Sequence, residues 1–201
     1  MRTLIIDNYL PNSPQIEKLY NVLKDITVHT VEIKDYSAIP PGEEFKLYDV
    51  IVLSGSQRKL AEPGIMDTYA NEVDFIRATE KPMLGICFGH QLMSLAFGAD
   101  VAGMDTKVEG YYMVERMSDN ELFEGLPEKF LVLESHEEMV VDLPFDFELL
   151  ATSPNCRIEV MKSVKLPIYG VQFHPERFDE EHPAGRLILE NFFKLASWYI
   201  K

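Results

Sequence analysis

The chain has 201 residues, of which 46% are hydrophobic and 26% charged, a composition that excludes a wholly disordered protein. Its 33 acidic and 19 basic residues give a net charge of −14, which argues against nonspecific binding to nucleic acid or to a membrane surface. There is no apolar run of membrane-spanning length, no signal-peptide pattern, and too few cysteines (two) for a disulfide framework. These features predict a single cytoplasmic domain over residues 1–201.

In the first half of the chain, strand-like apolar runs alternate with helical patterns. Ser13 and Pro14 supply an N-cap and a first-turn proline for one helix, and Gly98 ends a later one. The predicted strands are 3–6, 28–33, 50–53 and 83–86, and the predicted helices begin at 14 and span 65–79 and 91–97. This alternation predicts an α/β fold with a mainly parallel central sheet and helices on both faces.

The second half is richer in strand patterns and predicts a smaller antiparallel region. The predicted strands are 111–117, 130–134, 147–152, 157–163 and 168–173. A final amphipathic helix is predicted over 183–200, because Ile188, Phe192, Leu195 and Tyr199 form one apolar stripe.

Cys87 lies between a buried strand and a helix, with Gly85 and Gly89 on either side. This is the Gly-x-nucleophile-x-Gly pattern of a nucleophile elbow, with cysteine in place of serine. The helix N-terminus would favour a thiolate, and the backbone N–H of Phe88 would point at the same space and could stabilise an oxyanion. The alternative is that Cys87 is a small buried hydrophobic residue. Cys156 lies in a turn-like segment without this pattern and is assigned no role.

A reactive thiol needs a base, and His174 is the best candidate among the five histidines, which are His29, His90, His136, His174 and His182. His174 ends an apolar strand, and Pro175 favours an extended conformation before it. Since residues two apart in an extended segment share a face, Glu176 should reach the imidazole. His90 is expected to pack behind the elbow. The alternative is that His174 and Glu176 simply face water.

The two motifs together resemble those of the class I, or triad-type, glutamine amidotransferases. The stretches are Gly85-Ile86-Cys87-Phe88-Gly89-His90-Gln91 and Gly170-Val171-Gln172-Phe173-His174-Pro175-Glu176, and the likeness extends from Ile5 through the final helix. The resemblance implies a flavodoxin-like fold, with Cys87 as nucleophile, His174 as base and Glu176 as its partner. It implies no metal and no cofactor.

The resemblance also extends to substrate-binding positions. Gln91 matches a residue that lines the glutamine pocket, and Ser135 and His136 match positions that help to hold the α-amino and α-carboxylate end of glutamine. A polar turn between strands is the alternative for these last two. The family's Ser-Gly-Gly-Pro loop is replaced by Ser54-Gly55-Ser56-Gln57, so the resemblance assigns oxyanion-hole N–H groups to Gly55 or Ser56 alongside Phe88. Glu134 stands where related chains often carry an aromatic or small residue.

The implied reaction is hydrolysis of the side-chain amide of glutamine through a cysteine thioester, with ammonia passed to an ATP-dependent synthase subunit in trans. Among the branches of the family, the overall likeness is greatest to the free-standing glutaminase subunits of GMP synthase. The partner implied by that likeness is the XMP aminase subunit. The alternatives are a glutaminase serving another acceptor, a stand-alone γ-glutamyl peptidase or hydrolase of the same fold, and a non-catalytic binding domain.

Overall fold

The computed structural model describes residues 1–28, 30–39 and 44–200. His29, which the sequence assigns to a strand, lies outside the described residues. The described strands are β1 (Arg2–Asp7), β2 (Thr30–Asp35), β3 (Val50–Leu53), β4 (Met83–Ile86), β5 (Val101–Arg116), β6 (Lys129–Val140), β7 (Phe147–Thr152), β8 (Val160–Ser163) and β9 (Ile168–Val171). The described α-helices are α1 (Pro14–Ile26), α2 (Ile65–Thr68), α3 (Ala70–Ala78), α4 (Phe88–Ala96) and α5 (Ala184–Ser197).

All of the described strands belong to one sheet, in the order β2-β1-β3-β4-β9-β8-β7-β5-β6. The pairs from β2 to β9 are parallel, and the pairs from β9 to β6 are antiparallel. The predicted α/β class with a parallel first half is therefore confirmed. The antiparallel strands continue the same sheet, because β9 pairs with β4 on one side and β8 on the other.

The sheet separates two hydrophobic cores, since alternate strand residues point to opposite faces. Ile5 packs on one face with residues of α1 and α5, whereas Leu4 and Ile6 pack on the other with residues of α3 and α4. Ser13 caps α1 as predicted, and its side chain accepts a hydrogen bond from the Gln15 N–H. Helices cover both faces of the parallel strands, and the carboxyl ends of β1, β3, β4 and β9 meet at one edge of the sheet.

Several predicted boundaries were wrong. The helix predicted over 65–79 breaks at Tyr69, which separates α2 from α3 and packs its buried ring against Tyr36 and Phe88. Helix α4 begins at Phe88 rather than Gln91. Strand β5 begins ten residues earlier than predicted, at Val101, because the first part of this ribbon is largely exposed and carries no apolar alternation. Strand β6 extends through Ser135 and His136, so these residues do not form a turn.

Candidate active site

Cys87 occupies a strained turn between β4 and α4. Its backbone has φ +50° and ψ −103°, a conformation that a non-glycine residue adopts rarely and mainly at functional sites. The residue is 4% exposed. A glycine is required at position 89, because a Cβ there would lie 2.5 Å from the Leu53 carbonyl oxygen. The strand-turn-helix geometry is that of a nucleophile elbow.

The pairing of β4 with β9 brings the two sequence motifs side by side. Gly85 is in register with Gly170, and Ile86 with Val171. The Cys87 N–H donates to the Val171 carbonyl over 2.8 Å. His90 is fully buried beneath this junction and contacts Gly170, as expected for a packing residue.

His174 and Glu176 form a buried pair beside the cysteine. The Nδ1 of His174 lies 2.8 Å from Oε1 of Glu176, and the other side of the ring is within hydrogen-bonding reach of the Cys87 side chain. The prediction that the chain is extended from His174 to Glu176 is wrong, because Pro175–Arg177 forms a 3₁₀ turn. The turn nevertheless directs the Glu176 carboxylate back onto the ring of His174.

The charges of this pair are set by its neighbours. Burial alone would lower the pKa of His174, but the negative charges of Glu176 and Cys87 and their hydrogen bonds raise it to about 10. Burial likewise opposes ionisation of Glu176, yet His174 and Arg177 hold its pKa below the ordinary value. The Arg177 Nε lies 3.7 Å from Glu176 Oε1. The arrangement therefore favours a carboxylate next to an imidazolium at neutral pH.

The loop after β3 lies over this pair and is held by its own side chains. The Gln57 amide accepts from the Leu10 N–H (3.1 Å) and donates to Ser13 Oγ (3.0 Å). The Ser54 carbonyl accepts from the Gly89 N–H, which joins the loop to the elbow. Gln57 therefore anchors this loop to the segment that joins β1 to α1.

Gly55 lies directly against His174. A Cβ at this position would come within 2.9 Å of His174 Cε1 and 2.8 Å of the Tyr9 hydroxyl, so a larger residue would displace one of them. The N–H groups of Gly55, Ser56 and Phe88 have no acceptor in the part of the chain that the structure describes. These donors are available to an anionic oxygen.

Most of the predicted site residues share one cavity of about 250 Å³. Those that line it are Ser56, Cys87, Phe88, Gln91, Ser135, His136 and His174. Gly55 and Glu176 lie behind its wall, against His174. The structure thus brings together residues that are distant in the sequence.

The substrate-binding candidates use several of their polar atoms within the protein. Gln91 Nε2 donates to the Glu138 carbonyl (2.7 Å) and to Gln172 Oε1 (3.1 Å). The Nδ1 of His136 lies 2.9 Å from the Glu138 carbonyl oxygen, and its Nε2 lies 3.2 Å from Glu134 Oε2 without an aligned hydrogen bond. The Ser135 carbonyl oxygen lies 3.9 Å from the sulfur of Cys87. Both ring nitrogens of His136 thus lie next to protein groups, although the residue lines the cavity.

Some residues of the site were missed by the sequence analysis. Gln172 is fully buried and its Nε2 lies 3.7 Å from the Cys87 sulfur, and its place within the second motif was the available signal. Tyr9 lines the cavity and follows β1 at the edge where ligands bind in open α/β sheets. Glu138 accepts from the N–H groups of Leu60 and Ala61 at 2.7 and 2.9 Å, a contact without a sequence signal.

Four basic side chains line the cavity, although the chain is strongly acidic. Lys59, Lys107 and Arg177 each pair with a glutamate. Arg58 has no carboxylate partner among the residues described, and its guanidinium lies 5.5 Å from the centroid of the Tyr36 ring. Within the same described ranges, no group of three or more His, Cys, Asp or Glu side chains is arranged to hold a metal ion, and no helix is long and apolar enough to cross a membrane.

Comparison with known proteins gives concordant matches over nearly the whole chain. The family model described as glutamine amidotransferase class-I matches residues 4–196. The glutamine-hydrolyzing GMP synthase subunit of Pyrococcus abyssi is 36% identical, covering 96% of this chain and 97% of that protein. The protein of the same name from Methanocaldococcus jannaschii is 34% identical, covering 97% of each.

Solved structures show the same architecture. A provisionally assigned GMP synthase subunit from Thermoplasma acidophilum superimposes with a TM-score of 0.83 at 30% identity, covering 99% of this chain and 95% of that one. A glutamine amidotransferase from Thermotoga maritima has a TM-score of 0.80 at 21% identity, covering 98% of both chains. The second likeness supports the fold alone.

Proposed function

Because the chain belongs to the class-I glutamine amidotransferase family, we propose that it is the glutamine-hydrolysing subunit of a GMP synthase. It releases ammonia from the side chain of glutamine and supplies it to a synthase subunit. The relatives that are named as glutamine-hydrolyzing GMP synthase subunits, which match nearly end to end, support this assignment. The partner we propose is the ATP-dependent subunit that aminates XMP, and residues 1–201 act as one amidotransferase domain.

The observation that carries the chemistry is the contact of Cys87 with His174, whose Nδ1 is 2.8 Å from Glu176. We assign Cys87 as the nucleophile, His174 as the acid and base, and Glu176 as the group that orients and charges the ring. The raised pKa of His174, about 10, supports an imidazolium beside Cys87 before the substrate arrives.

In the first half of the reaction, the thiolate attacks the side-chain amide carbon of glutamine. The oxygen of that carbon becomes an oxyanion next to the N–H groups of Phe88 and of Ser56 or Gly55, each such donor being worth roughly 3 kcal/mol. The carbon–nitrogen bond then breaks as His174 gives its proton to the leaving nitrogen, which departs as ammonia. The γ-glutamyl group remains on Cys87 as a thioester.

In the second half, the neutral His174 accepts a proton from water as that water attacks the thioester carbon. The carbon–sulfur bond breaks, glutamate leaves, and the thiolate–imidazolium pair is restored. No metal or redox partner enters this balance. The α-amino and α-carboxylate groups of glutamine would lie towards Ser135 and His136, and Gln91 would line the pocket. Arg58 offers a cation without a carboxylate partner among the described residues.

The assignment is tested by glutamate release from glutamine, with and without the aminase subunit, XMP and ATP. We expect the partner to raise the rate of glutamine hydrolysis. Partner-independent turnover of γ-glutamyl peptides, faster than that of glutamine, would instead support a stand-alone hydrolase.

The nucleophile is tested by treating the protein with 6-diazo-5-oxonorleucine and mapping the adduct by mass spectrometry. One adduct is expected on Cys87 and none on Cys156, since burial raises the pKa of the Cys156 thiol. Cys87→Ala should lose adduct and activity together. Cys156→Ala is the matched control and should retain both, and an adduct on Cys156 alone would contradict the assignment.

A further inference from the structure

A cluster of buried ionisable side chains, here called the carboxyl cluster, lies beneath the cavity and has no part in the reaction described above. It consists of Glu134, His136 and Glu159, whose residues are 1%, 5% and 0% exposed. Glu134 and His136 share the buried face of β6, and Glu159 comes from the segment that precedes β8. Buried carboxyl groups without a cation are costly, so the cluster requires an explanation.

The hydrogen-bond donors and acceptors of the carboxyl cluster do not balance without an added proton. Both oxygens of Glu134 and Oε2 of Glu159 have no donor among the described residues, and only Oε1 of Glu159 is satisfied, by the Ser153 hydroxyl at 2.6 Å. The two carboxyl groups are within hydrogen-bonding reach of each other. Since a carboxylate only accepts, at least one of them must be protonated for that contact to be favourable.

The orientation of His136 places a further constraint on the same proton. Its Nδ1 lies 2.9 Å from the Glu138 carbonyl oxygen, which can only accept, so Nδ1 carries a hydrogen. Its Nε2 lies 3.2 Å from Glu134 Oε2, and the two side chains are each 1% exposed. Neither Nε2 nor Oε2 has an aligned hydrogen bond among the described residues, so a neutral ring with a bare Nε2 would be paired only by a protonated Glu134 that turns its hydroxyl towards that nitrogen.

We propose that Glu134 and Glu159 together hold at least one proton at neutral pH, and that Glu134 fixes His136 as the neutral Nδ1–H tautomer that forms part of the glutamine-cavity wall. Glu134 is thus a positioning residue that acts through His136. The consequence for glutamine binding rests on the proposed function, whereas the tautomer of His136 does not.

The neighbours of the carboxyl cluster are consistent with a neutral His136. Burial raises the pKa of Glu134 to about 7 and that of Glu159 well above its ordinary value, and it lowers that of His136. The ionisable groups facing the carboxyl cluster from other elements are His174 after β9, Cys156 and the fully buried His90 of α4. Among these groups, His174 carries the positive charge. Because that charge repels a second one, it disfavours protonation of His136.

The tautomer is tested by ¹⁵N NMR of the histidine rings in the full-length protein at pH 7. The resonances of His136 are assigned by their loss in His136→Gln. We expect the shifts of a neutral ring with hydrogen on Nδ1 and a bare Nε2. An imidazolium, or a neutral ring with hydrogen on Nε2, would overturn the proposal, and this readout does not depend on enzymatic activity.

The positioning role is tested by steady-state kinetics with glutamine on Glu134→Gln and Glu134→Ala. The glutamine side chain can donate to His136 Nε2 as a neutral carboxyl does, so KM should stay within about threefold of the parent value. The alanine variant leaves Nε2 unpaired, and KM should rise by at least about tenfold, the cost of one buried unsatisfied group. Equal losses in both variants would overturn the role.

The matched control is Glu148→Gln on β7, an exposed glutamate paired with Lys162. It should leave KM unchanged, and Glu134→Gln should keep the parent ring shifts of His136. If the parent protein hydrolyses no glutamine, the proposed function fails, while the ring shifts still decide the tautomer.

Discussion

The protein contains two buried pairs of histidine and glutamate that look alike in sequence but are expected to differ in charge. In one, Glu176 follows His174 by two residues, and its Oε1 lies 2.8 Å from His174 Nδ1. In the other, Glu134 precedes His136 by two residues, and its Oε2 lies 3.2 Å from His136 Nε2. In both, each side chain is at most 3% exposed. Spacing, burial and residue type therefore do not account for the difference.

The third group next to each pair accounts for it. His174 has a second anionic neighbour in Cys87, and Glu176 has Arg177, so the pKa of the histidine is raised and that of the glutamate lowered. Glu134 instead adjoins another carboxyl group, Glu159, and the two pKa shifts are reversed. The charge of a buried imidazole–carboxyl contact thus depends on what surrounds the pair.

The largest expected loss of activity comes from neutralising the pair formed by His174 and Glu176, here called the charged pair. In Glu176→Gln the pKa of His174 should fall, because the anion that contributes most to raising it is lost. The value of kcat should drop by roughly 10²- to 10⁴-fold, as for the orienting carboxylate of other triads. NMR titration of His174 and glutamate-release kinetics measure the two quantities. The control Glu180→Gln changes an exposed carboxylate nearby and should alter neither; an unchanged kcat in Glu176→Gln would mean that the pair is structural only.

Displacing the charged pair should lower kcat less than neutralising it does. In Gly55→Ala the new Cβ would meet His174 Cε1 and the Tyr9 hydroxyl, and the resulting shift should lower kcat by about 10- to 100-fold. Gly103→Ala is the matched control, since a Cβ there meets no atom within 4 Å. Equal rates in the two variants would show that the close approach at Gly55 has no catalytic consequence.

The glutamates of the two pairs should also give opposite dependences of stability on pH. The raised pKa of Glu134 contributes stability that is complete below about 4.5 and is lost as pH rises through about 7. The raised pKa of His174 contributes stability that is complete below about 6.5 and lost through about 10, and the lowered pKa of Glu176 contributes stability that is lost as pH falls below about 4.5.

Chemical denaturation at a series of pH values tests these signs. Between pH 4.5 and 7 the parent protein should lose stability relative to Glu134→Gln, whereas Glu176→Gln should be least stable relative to the parent between pH 4.5 and 6.5. Each difference should be roughly 1 to 3 kcal/mol. Parallel curves for the two variants would contradict the contrast between the pairs.

The smallest expected effect concerns the loop over the charged pair. Gln57→Ala removes the contacts with Leu10 and Ser13, which are exposed to solvent and worth about 1 kcal/mol in total. The value of kcat should fall about twofold to fivefold with little change in KM, because the loop carries proposed oxyanion donors rather than the substrate anchor. The control Gln15→Ala alters a residue of α1, and a larger effect there than at Gln57 would contradict this account.

The sequence predicts the parallel half of the fold well because its signals are local. The apolar runs of β3 and β4 coincide with the observed strands, and the two glycines around Cys87 predict the turn that is found there. The sequence also points to the residues that the structure brings together around Cys87. Their catalytic roles remain predictions until the experiments above are performed.

What the sequence does not predict depends on contacts between distant segments. Strand β5 begins in an exposed ribbon whose pairing with β6 is made by the backbone, so side-chain alternation is absent. The break at Tyr69 depends on the packing of its ring against Phe88 and Tyr36. Glu134 could be identified as unusual, but its contact with Glu159 requires the position of the segment before β8, which a linear pattern does not contain.

The position of β9 in the sheet has a consequence for synthesis of the chain. This strand, close to the end of the sequence, inserts between β4 and β8 and delivers His174 to a cysteine translated much earlier. A nascent or truncated polypeptide ending before Ile168 would carry Cys87 without His174, its proposed acid–base partner, and would leave two strand edges open to aggregation. A polypeptide must therefore extend beyond His174 before the proposed reactive centre can form, so shorter chains should not hydrolyse glutamine.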